Sequence, residues 1–213
     1  MIEICPLCKS QNSKLFYKNK HREFQRCGVC ELIFVPKKYH LSPKEERNQY
    51  NHHQNSLLNH PYIAFLNQLL LPTLQFIKPQ SLGLDFGSGP SPVLAQLYRQ
   101  RDFNIEIYDI FYADNKSVFD KKYDVITSTE VFEHLANPLK EVKKLWKCLK
   151  VGGILAIMTG QHHLIESFES WYYIRDFTHI SFFCDKSFEY IAKTLGAKKV
   201  FQKENVIILQ KIR

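Results

Sequence analysis

The sequence has no stretch able to span a bilayer. Its most apolar segment, "YIAFLNQLLLPTLQFI" (62–77), is interrupted by Asn67, Gln68, Pro72 and Gln75, whereas a crossing helix needs about 20 consecutive apolar residues. The opening "MIEICPLCKS" carries no basic-then-apolar signal segment. There is no internal repeat and no low-complexity tract, which excludes solenoid and flexible-array architectures. Blocks of one charge are also missing. Lys and Arg number 29 against 21 Asp and Glu, a formal +8, but the lysines are scattered. Scatter favours an ordinary basic surface over one massed for nucleic acid, phosphate or a membrane surface. These absences lead to the expectation of a soluble, cytoplasmic protein with no transmembrane segment. What remains is a chain of 213 residues, 45% hydrophobic, enough for one core and a small appendage.

Cysteines are the first positive signal. Four of the six stand as C-x2-C, eighteen residues, C-x2-C: Cys5, Cys8, Cys27 and Cys30. Two residues between ligands let both thiolates of a knuckle reach one tetrahedral ion, and the loop returns the second pair to complete it. Gly28 in "CGVC" is expected to supply flexibility to its knuckle. Between the pairs, "KLFYKNKHREFQRC" reads as two short strands around a Lys18–His21 turn. The pattern is that of a zinc ribbon holding structural Zn2+, since four thiolates leave no open coordination position. Disulfides or a redox pair fit less well in a chain with paired knuckles and no flanking βαβ unit. Cys148 and Cys184 stand singly and read as packing residues.

Residues 1–35 are thus the ribbon, 36–60 a polar linker or cap, and 61–213 the main domain. Ile63, Leu66, Leu70, Leu74 and Ile77 follow helical spacing, with Pro72 expected to kink the helix. Strands and helices then alternate. "LGLDF", "IEIYD", "YDVITST" and "ILAIMT" read as strands. A helix through Arg99 is expected to start at Ser91 and Pro92. Another starts at Asn137 and Pro138, with Leu139, Val142, Leu145, Trp146 and Leu149 on one stripe, and ends at Gly152 and Gly153. A last helix closes at Gly196, and "KKVFQKE" and "NVIILQKI" pair as a hairpin. The fold class is α/β, with helices on both faces of a mostly parallel sheet and an antiparallel edge.

"LDFGSGPSP" (84–92) places a strand, a tight glycine turn and a helix start in succession. Such a turn brings backbone amides close to a ligand at the carboxyl ends of the strands. A dinucleotide fingerprint needs glycine or alanine at Pro92, and the phosphate-loop G-K-[ST] is absent. Asp85 would repel a pyrophosphate and suits a positive amine. Asp109 ends the next strand, where an acid can accept bonds from ribose hydroxyls. The ligand so described has a ribose, an ammonium and a carboxylate but no phosphate, the shape of S-adenosylmethionine.

"LDFGSGPSP", "YDVITSTEVFEHLANP" and "LKVGGILAIMT" together resemble the class I S-adenosylmethionine-dependent methyltransferases, from about Pro61 to the C-terminus. The resemblance implies a Rossmann-like, seven-stranded sheet and S-adenosyl-L-methionine as cofactor. It implies that Asp85, Gly87 and Gly89 surround the methionine moiety, that Asp109 holds the ribose, and that Ile110 and Thr129 border adenine or the sulfonium. Ser88, inside the turn, and Glu130, after the strand, belong to the same set. Two departures stand out. Ser91 replaces the third glycine of the motif, and Asp109 to Tyr123 is short for a helix plus a third sheet strand. The ribbon and "W-Y-x-x-x-D-x-T-H" (171–179) resemble a bacterial subgroup of zinc-ribbon methyltransferases, whose Tyr-x-x-His-x-Asn is similar to Tyr50, His53 and Asn55 here. That polar segment reads either as a flap over the cofactor or as an exposed linker.

Methyl transfer needs an aligned nucleophile and, for a hydroxyl or an acidic carbon, a proton acceptor, for which histidine is suited near neutrality. Two clusters qualify. Glu130, Glu133 and His134 stand at i, i+3 and i+4, on one face if helical. Their spacing is similar to that of ubiquinone-pathway O-methyltransferases, where such groups serve a metal, so a second divalent cation is one reading and solvent-facing acids the other. In "WYYIRDFTHISFF" (171–183), Asp176 and His179 are three apart. The acid would orient the imidazole as in hydrolase triads, with Trp171, Tyr172, Tyr173 and Phe177 excluding water; a lid packed for stability is the alternative. His134, His179, Asp176 and Glu133 are therefore the candidate catalytic residues. The leading expectation is methylation of oxygen or carbon on a small molecule. RNA or protein methylation using the ribbon as a grip is second: neither the Asn/Asp-Pro-Pro-Tyr/Phe signature nor a Pro-Cys nucleophile is present. A non-catalytic cofactor-binding module is third. Oligomeric state is not legible.

Overall fold

A computed structural model describes residues 3–51 and 56–213. At the N-terminus, β1 (Ser13–Lys18) and β2 (Glu23–Cys27) form the expected antiparallel hairpin. β3 (Ile33–Phe34) adds to β2. The segment expected to be a polar linker or cap contains helix α1 (Pro43–Tyr50). Ser42 and Glu45 cap it reciprocally, a box that satisfies two otherwise orphaned amides. α2 (His60–Thr73) follows, with Pro72 in its last turn.

The main sheet is built from β4 (Leu82–Phe86), β5 (Asn104–Tyr108), β6 (Tyr123–Thr129), β7 (Leu149–Met158), β9 (Ala197–Lys203) and β10 (Val206–Lys211). Its order is β5-β4-β6-β7-β10-β9. The first four strands are parallel and β10 is antiparallel to both neighbours. The sheet therefore has six strands, not the expected seven. The span between β5 and β6 holds one 3-10 helix, Lys116–Asp120, and no strand.

Both faces are covered. Alternation along the strands sends Ile105, Val125, Ile154, Ala156 and Ile208 to one face, against α2 and α3 (Val93–Arg99). Leu84, Ile126, Leu155, Ile157 and Leu209 go to the other, against α4 (Pro138–Cys148) and α5 (Asp185–Leu195). Each fully buried aliphatic or aromatic side chain is worth roughly 1.5–3 kcal/mol against exposure. Two helix boundaries differ from expectation. α3 is capped by Pro92 rather than Ser91, with no side-chain bond. α4 stops at Cys148, and Gly152 and Gly153 lie inside β7, where the register against β6 slips. Gly152 has φ +84°, as a bulge permits and a helix end also would; periodicity alone does not separate the two.

The ribbon is not a separate bead. β8 (Ser181–Phe182), from the segment after β7, pairs with β3 and closes a second sheet of order β1-β2-β3-β8. Phe24, Ile33 and Val35 of the ribbon share a core with Trp171, Tyr173, Ile174, Ile180 and Phe182. The pairing crosses the boundaries expected at residues 35 and 60.

Candidate functional site

The turn after β4 is shaped by backbone. Gly87 N–H and Ser88 N–H both donate to the Tyr108 carbonyl, at 2.7 and 3.1 Å. Gly87 has φ +80°, and a Cβ there would lie 2.2 Å from Val131 Cγ2, so no other residue fits. Gly89 has φ +65° and donates to Asp109 Oδ2 at 3.0 Å. Asp109 Oδ1 accepts from Phe111 N–H and Tyr112 N–H. Asp109 therefore organises both rims of the cleft.

A cavity of about 750 Å³ opens above this turn, within the usual range for small-molecule sites. Gly87, Ser88, Gly89, Asp109, Ile110, Thr129, Glu130 and Tyr50 of the expected cofactor set line it, as do His134, Asp176 and His179 of the expected catalytic set. Asp85 and Glu133 are not on the wall. Asp85 lies buried beneath the turn, where Thr127 Oγ1 donates to it at 3.0 Å, and burial pushes its carboxyl up to about 6. Ser88 Oγ and Thr129 Oγ1 are buried with no hydrogen-bond partner among the described residues. Orphaned hydroxyls on a cavity wall fit a polar ligand. His53 and Asn55 lie outside the described residues; Tyr50 packs edge-on against His134 at 5.2 Å between ring centroids and donates to Glu46.

The acids beyond β6 do not share a helix face as expected. Glu130 adopts φ +53°, a left-handed conformation costly for a non-glycine residue. Only Phe132–His134 then forms a single 3-10 turn. Glu130 Oε2 accepts from Tyr173 OH at 3.1 Å, and burial together with the neighbouring Glu133 carboxylate holds its carboxyl well above the usual range. Thr159 Oγ1 donates to Glu133 Oε2 at 2.7 Å, while Glu133 Oε1, fully buried, has no hydrogen bond among the described residues and faces His134 Nε2 at 3.9 Å. The titratable atoms brought within 4.8 Å of one another belong to Glu133, His134 and His179. Glu130 lies outside that group, so the expected cation set of Glu130, Glu133 and His134 is not assembled.

Both histidines are oriented by backbone. Nδ1 of His179 is 2.8 Å from the Tyr173 carbonyl, and Nδ1 of His134 is 3.1 Å from the Thr178 carbonyl. A carbonyl only accepts, so each Nδ1 carries a proton, and in His179, which burial keeps neutral, Nε2 keeps its lone pair. Burial pushes His179 down to about 4. Asp176 does not hold the far nitrogen as in a hydrolase triad: its Oδ2 stands 3.9 Å from Nε2, the acceptor side. Its Oδ1 accepts from Thr178 N–H and Oγ1. Burial works against this charge, but those bonds and the facing histidines hold Asp176 below the usual carboxylate range. Trp171 is buried off the wall, Tyr173 is buried on it, and Tyr172 and Phe177 are exposed.

A family model described as "Methyltransferase domain" matches residues 50–201. The chain belongs to this methyltransferase family. No curated protein matches. Among solved structures, an O-methyltransferase family protein from Burkholderia thailandensis aligns with a TM-score of 0.53 at 13% identity, over 78% of this chain and 62% of that one. A SAM-dependent methyltransferase from Archaeoglobus fulgidus aligns at 0.52 and 14%, over 70% of this chain and 99% of that one. At such identities the likeness is one of fold, and it is the class I fold expected from the sequence.

The methyltransferase carries a second cluster 5–30 residues from its N-terminus. Sγ atoms of Cys5, Cys8, Cys27 and Cys30 lie within 4.8 Å of one another. Cys5–Cys30 and Cys8–Cys27 are 3.6 and 3.4 Å apart, far beyond a disulfide and close to the about 3.8 Å that sulfurs of a tetrahedral zinc site show with bonds of about 2.3 Å. The two knuckles repeat one geometry. Lys9 N–H returns to the Cys5 carbonyl and Glu31 N–H to the Cys27 carbonyl, and Lys9 and Glu31 each have positive φ. Gly28 has no positive φ. A Cβ there would meet the end of the exposed Asn12 side chain at 2.7 Å, a contact that Asn12 can relieve by moving.

Proposed function

We propose that the protein methylates an oxygen or carbon of a small-molecule acceptor, with His179 Nε2 as proton acceptor and His134 beside it. The supporting observation is the Nδ1–H bond of His179 to the Tyr173 carbonyl. It leaves a neutral imidazole with its lone pair free, in a ring that lines the same cavity as the glycine turn. S-adenosyl-L-methionine, when bound, supplies an electrophilic methyl group on a sulfonium, released as the acceptor atom forms its new bond to carbon. Gly87, Ser88, Gly89, Asp109, Ile110 and Thr129 would hold it, with Tyr50 and Glu130 at the border of the two ligands. The acceptor's proton passes to His179 Nε2. The resulting imidazolium is steadied by Asp176 Oδ2 at 3.9 Å and by the buried Glu133. Glu130, its carboxyl held above the usual range by burial and by the Glu133 carboxylate, serves as a wall bonded to Tyr173.

Structural Zn2+ on Cys5, Cys8, Cys27 and Cys30 completes the reading. The ribbon is disfavoured as a polymer grip because its third strand is spent on pairing with β8. Calorimetric titration with S-adenosylhomocysteine tests the proposal. Micromolar binding is expected, lost in Asp109→Ala while the protein stays folded. No binding to folded protein would overturn it and leave a non-enzymatic module.

A further inference from the structure

Arg22 is one of the largest fully buried side chains of the protein, 2% exposed. It sits at the tip of the ribbon hairpin, far in sequence from the site. The Asn19 side chain fixes that tip by accepting from His21 N–H and Arg22 N–H, both at 2.9 Å. The guanidinium lies between the rings of Phe24 and Phe177, 5.1 Å from each centroid. Its Nη1 donates to the carbonyls of Phe177 (3.2 Å) and His179 (2.9 Å). Its Nη2 donates to those of Ile174 (2.8 Å) and Asp176 (2.7 Å). Four of five donors are thus used on a single six-residue stretch.

Stability alone explains this poorly. A buried cation loses its hydration, and charge-assisted bonds to neutral carbonyls recover only part of that. Burial does lower the Arg22 pKa, to about 10, against the opposing charge of Asp176, so it stays charged near neutrality. What the arrangement does fix is backbone direction. In this stretch the carbonyls of Ile174, Asp176, Phe177 and His179 face Arg22. Those of Tyr173 and Thr178 do not, and instead take the Nδ1–H groups of His179 and His134. One guanidinium thereby separates four carbonyls of 173–179 from the two that hold the histidines.

We propose that Arg22 is a positioning residue: by holding four carbonyls it presents those of Tyr173 and Thr178 to the histidines, fixing both rings as Nδ1–H tautomers. The ribbon is on this view a brace for the acceptor side of the site. The inference deepens the proposed function, which alone says what the histidines do; the tautomers themselves are measured without any acceptor.

The test is nitrogen-15 NMR of the histidine rings at neutral pH, on the intact zinc-loaded protein, with His134 and His179 assigned through H134Q and H179Q. Two Nδ1–H signatures are expected in the parent. Arg22→Met should lose both and speed amide exchange across 172–183 at least tenfold, with S-adenosylhomocysteine affinity within twofold of the parent. Unchanged ring signals in Arg22→Met overturn the proposal. Loss of the ligand affinity together with the ring signals also overturns it, since Arg22 would then be a general prop of the fold. Should Arg22→Met not fold, Arg22→Lys carries the test: its single nitrogen cannot span four carbonyls, so weakened ring signals with retained affinity are expected, and an unchanged spectrum, or failure of both variants to fold, overturns the proposal. Failure of the methyltransferase reading is seen separately, as absent ligand binding in the parent.

Discussion

His179 and Asp85 are both buried and both titrate away from their ordinary values, in opposite directions. For His179 the consequence is catalytic. A ring held neutral with Nε2 open is in the accepting form, and general-base catalysis is worth about 10²–10⁴ in rate. His179→Gln is expected to lower methyl transfer by about 100-fold or more, once extracts have been screened with a labelled methyl donor, while S-adenosylhomocysteine binding stays within twofold. For Asp85 the consequence is thermodynamic. Its folded pKa, about 6, lies above the ordinary 3.8. The native state therefore holds a proton that the unfolded chain releases, and this contribution to stability is lost as pH rises from about 4 through 6. Asp85→Asn should then be more stable than the parent at pH 7, by up to about 3 kcal/mol, with the difference vanishing below pH 4 in denaturant melts. The turn residues 87–89 were legible because strand, glycines and helix are contiguous. Nothing local marks Arg22, or places Glu133 behind the cavity wall, since burial at those positions depends on contacts more than 100 and about 26 residues away.

Elements supply the geometry that single residues cannot. The turn after β4 tolerates no side chain at Gly87, where conformation and the Val131 contact agree. Gly87→Ala should cost about 1–3 kcal/mol from backbone strain alone and weaken S-adenosylhomocysteine binding at least tenfold by calorimetry. A native melting profile with undiminished affinity would refute this role for the turn. Element identities followed well from period and composition: β4, β5, β6, α5 and the β9–β10 hairpin stand where the sequence places them. Three features did not. Gly152 and Gly153 look like a helix stop but serve a register slip within β7. The seventh strand is missing because only 14 residues separate β5 and β6, too few for a crossover of at least about 10–12 residues plus a strand. α1 has no apolar period to mark it, although Ser42 and Glu45 spell its capping box, because its residues are polar almost throughout.

At the scale of the whole molecule, ribbon and Rossmann-like sheet form one packed unit. Beyond β3–β8, the second knuckle is gripped through its carbonyls: Ser187 Oγ donates to Cys30 O, and His162 Nε2 donates to Glu31 O. Lys186 pairs with the Glu31 carboxylate at 2.7 Å. Elemental analysis is expected to give one zinc per chain. Stripping it should lower the midpoint of a single cooperative transition by about 5 °C or more, rather than melt the ribbon alone; two separate transitions would contradict the shared core. Among the described residues no helix is long and apolar enough to cross a membrane.

The pairing of β3 with β8 also has a consequence for biosynthesis. Ile33 and Phe34 meet Phe182 and Ser181, partners translated roughly 150 residues later, or about 7–30 s at 5–20 residues per second. During that interval Phe24 and Ile33 lack Trp171, Ile180 and Phe182, which cover them in the finished protein. The ribbon, made well before β8, is among the last parts able to finish folding, and a nascent chain halted before residue 181 should present a sticky, chaperone-seeking ribbon that a completed one does not.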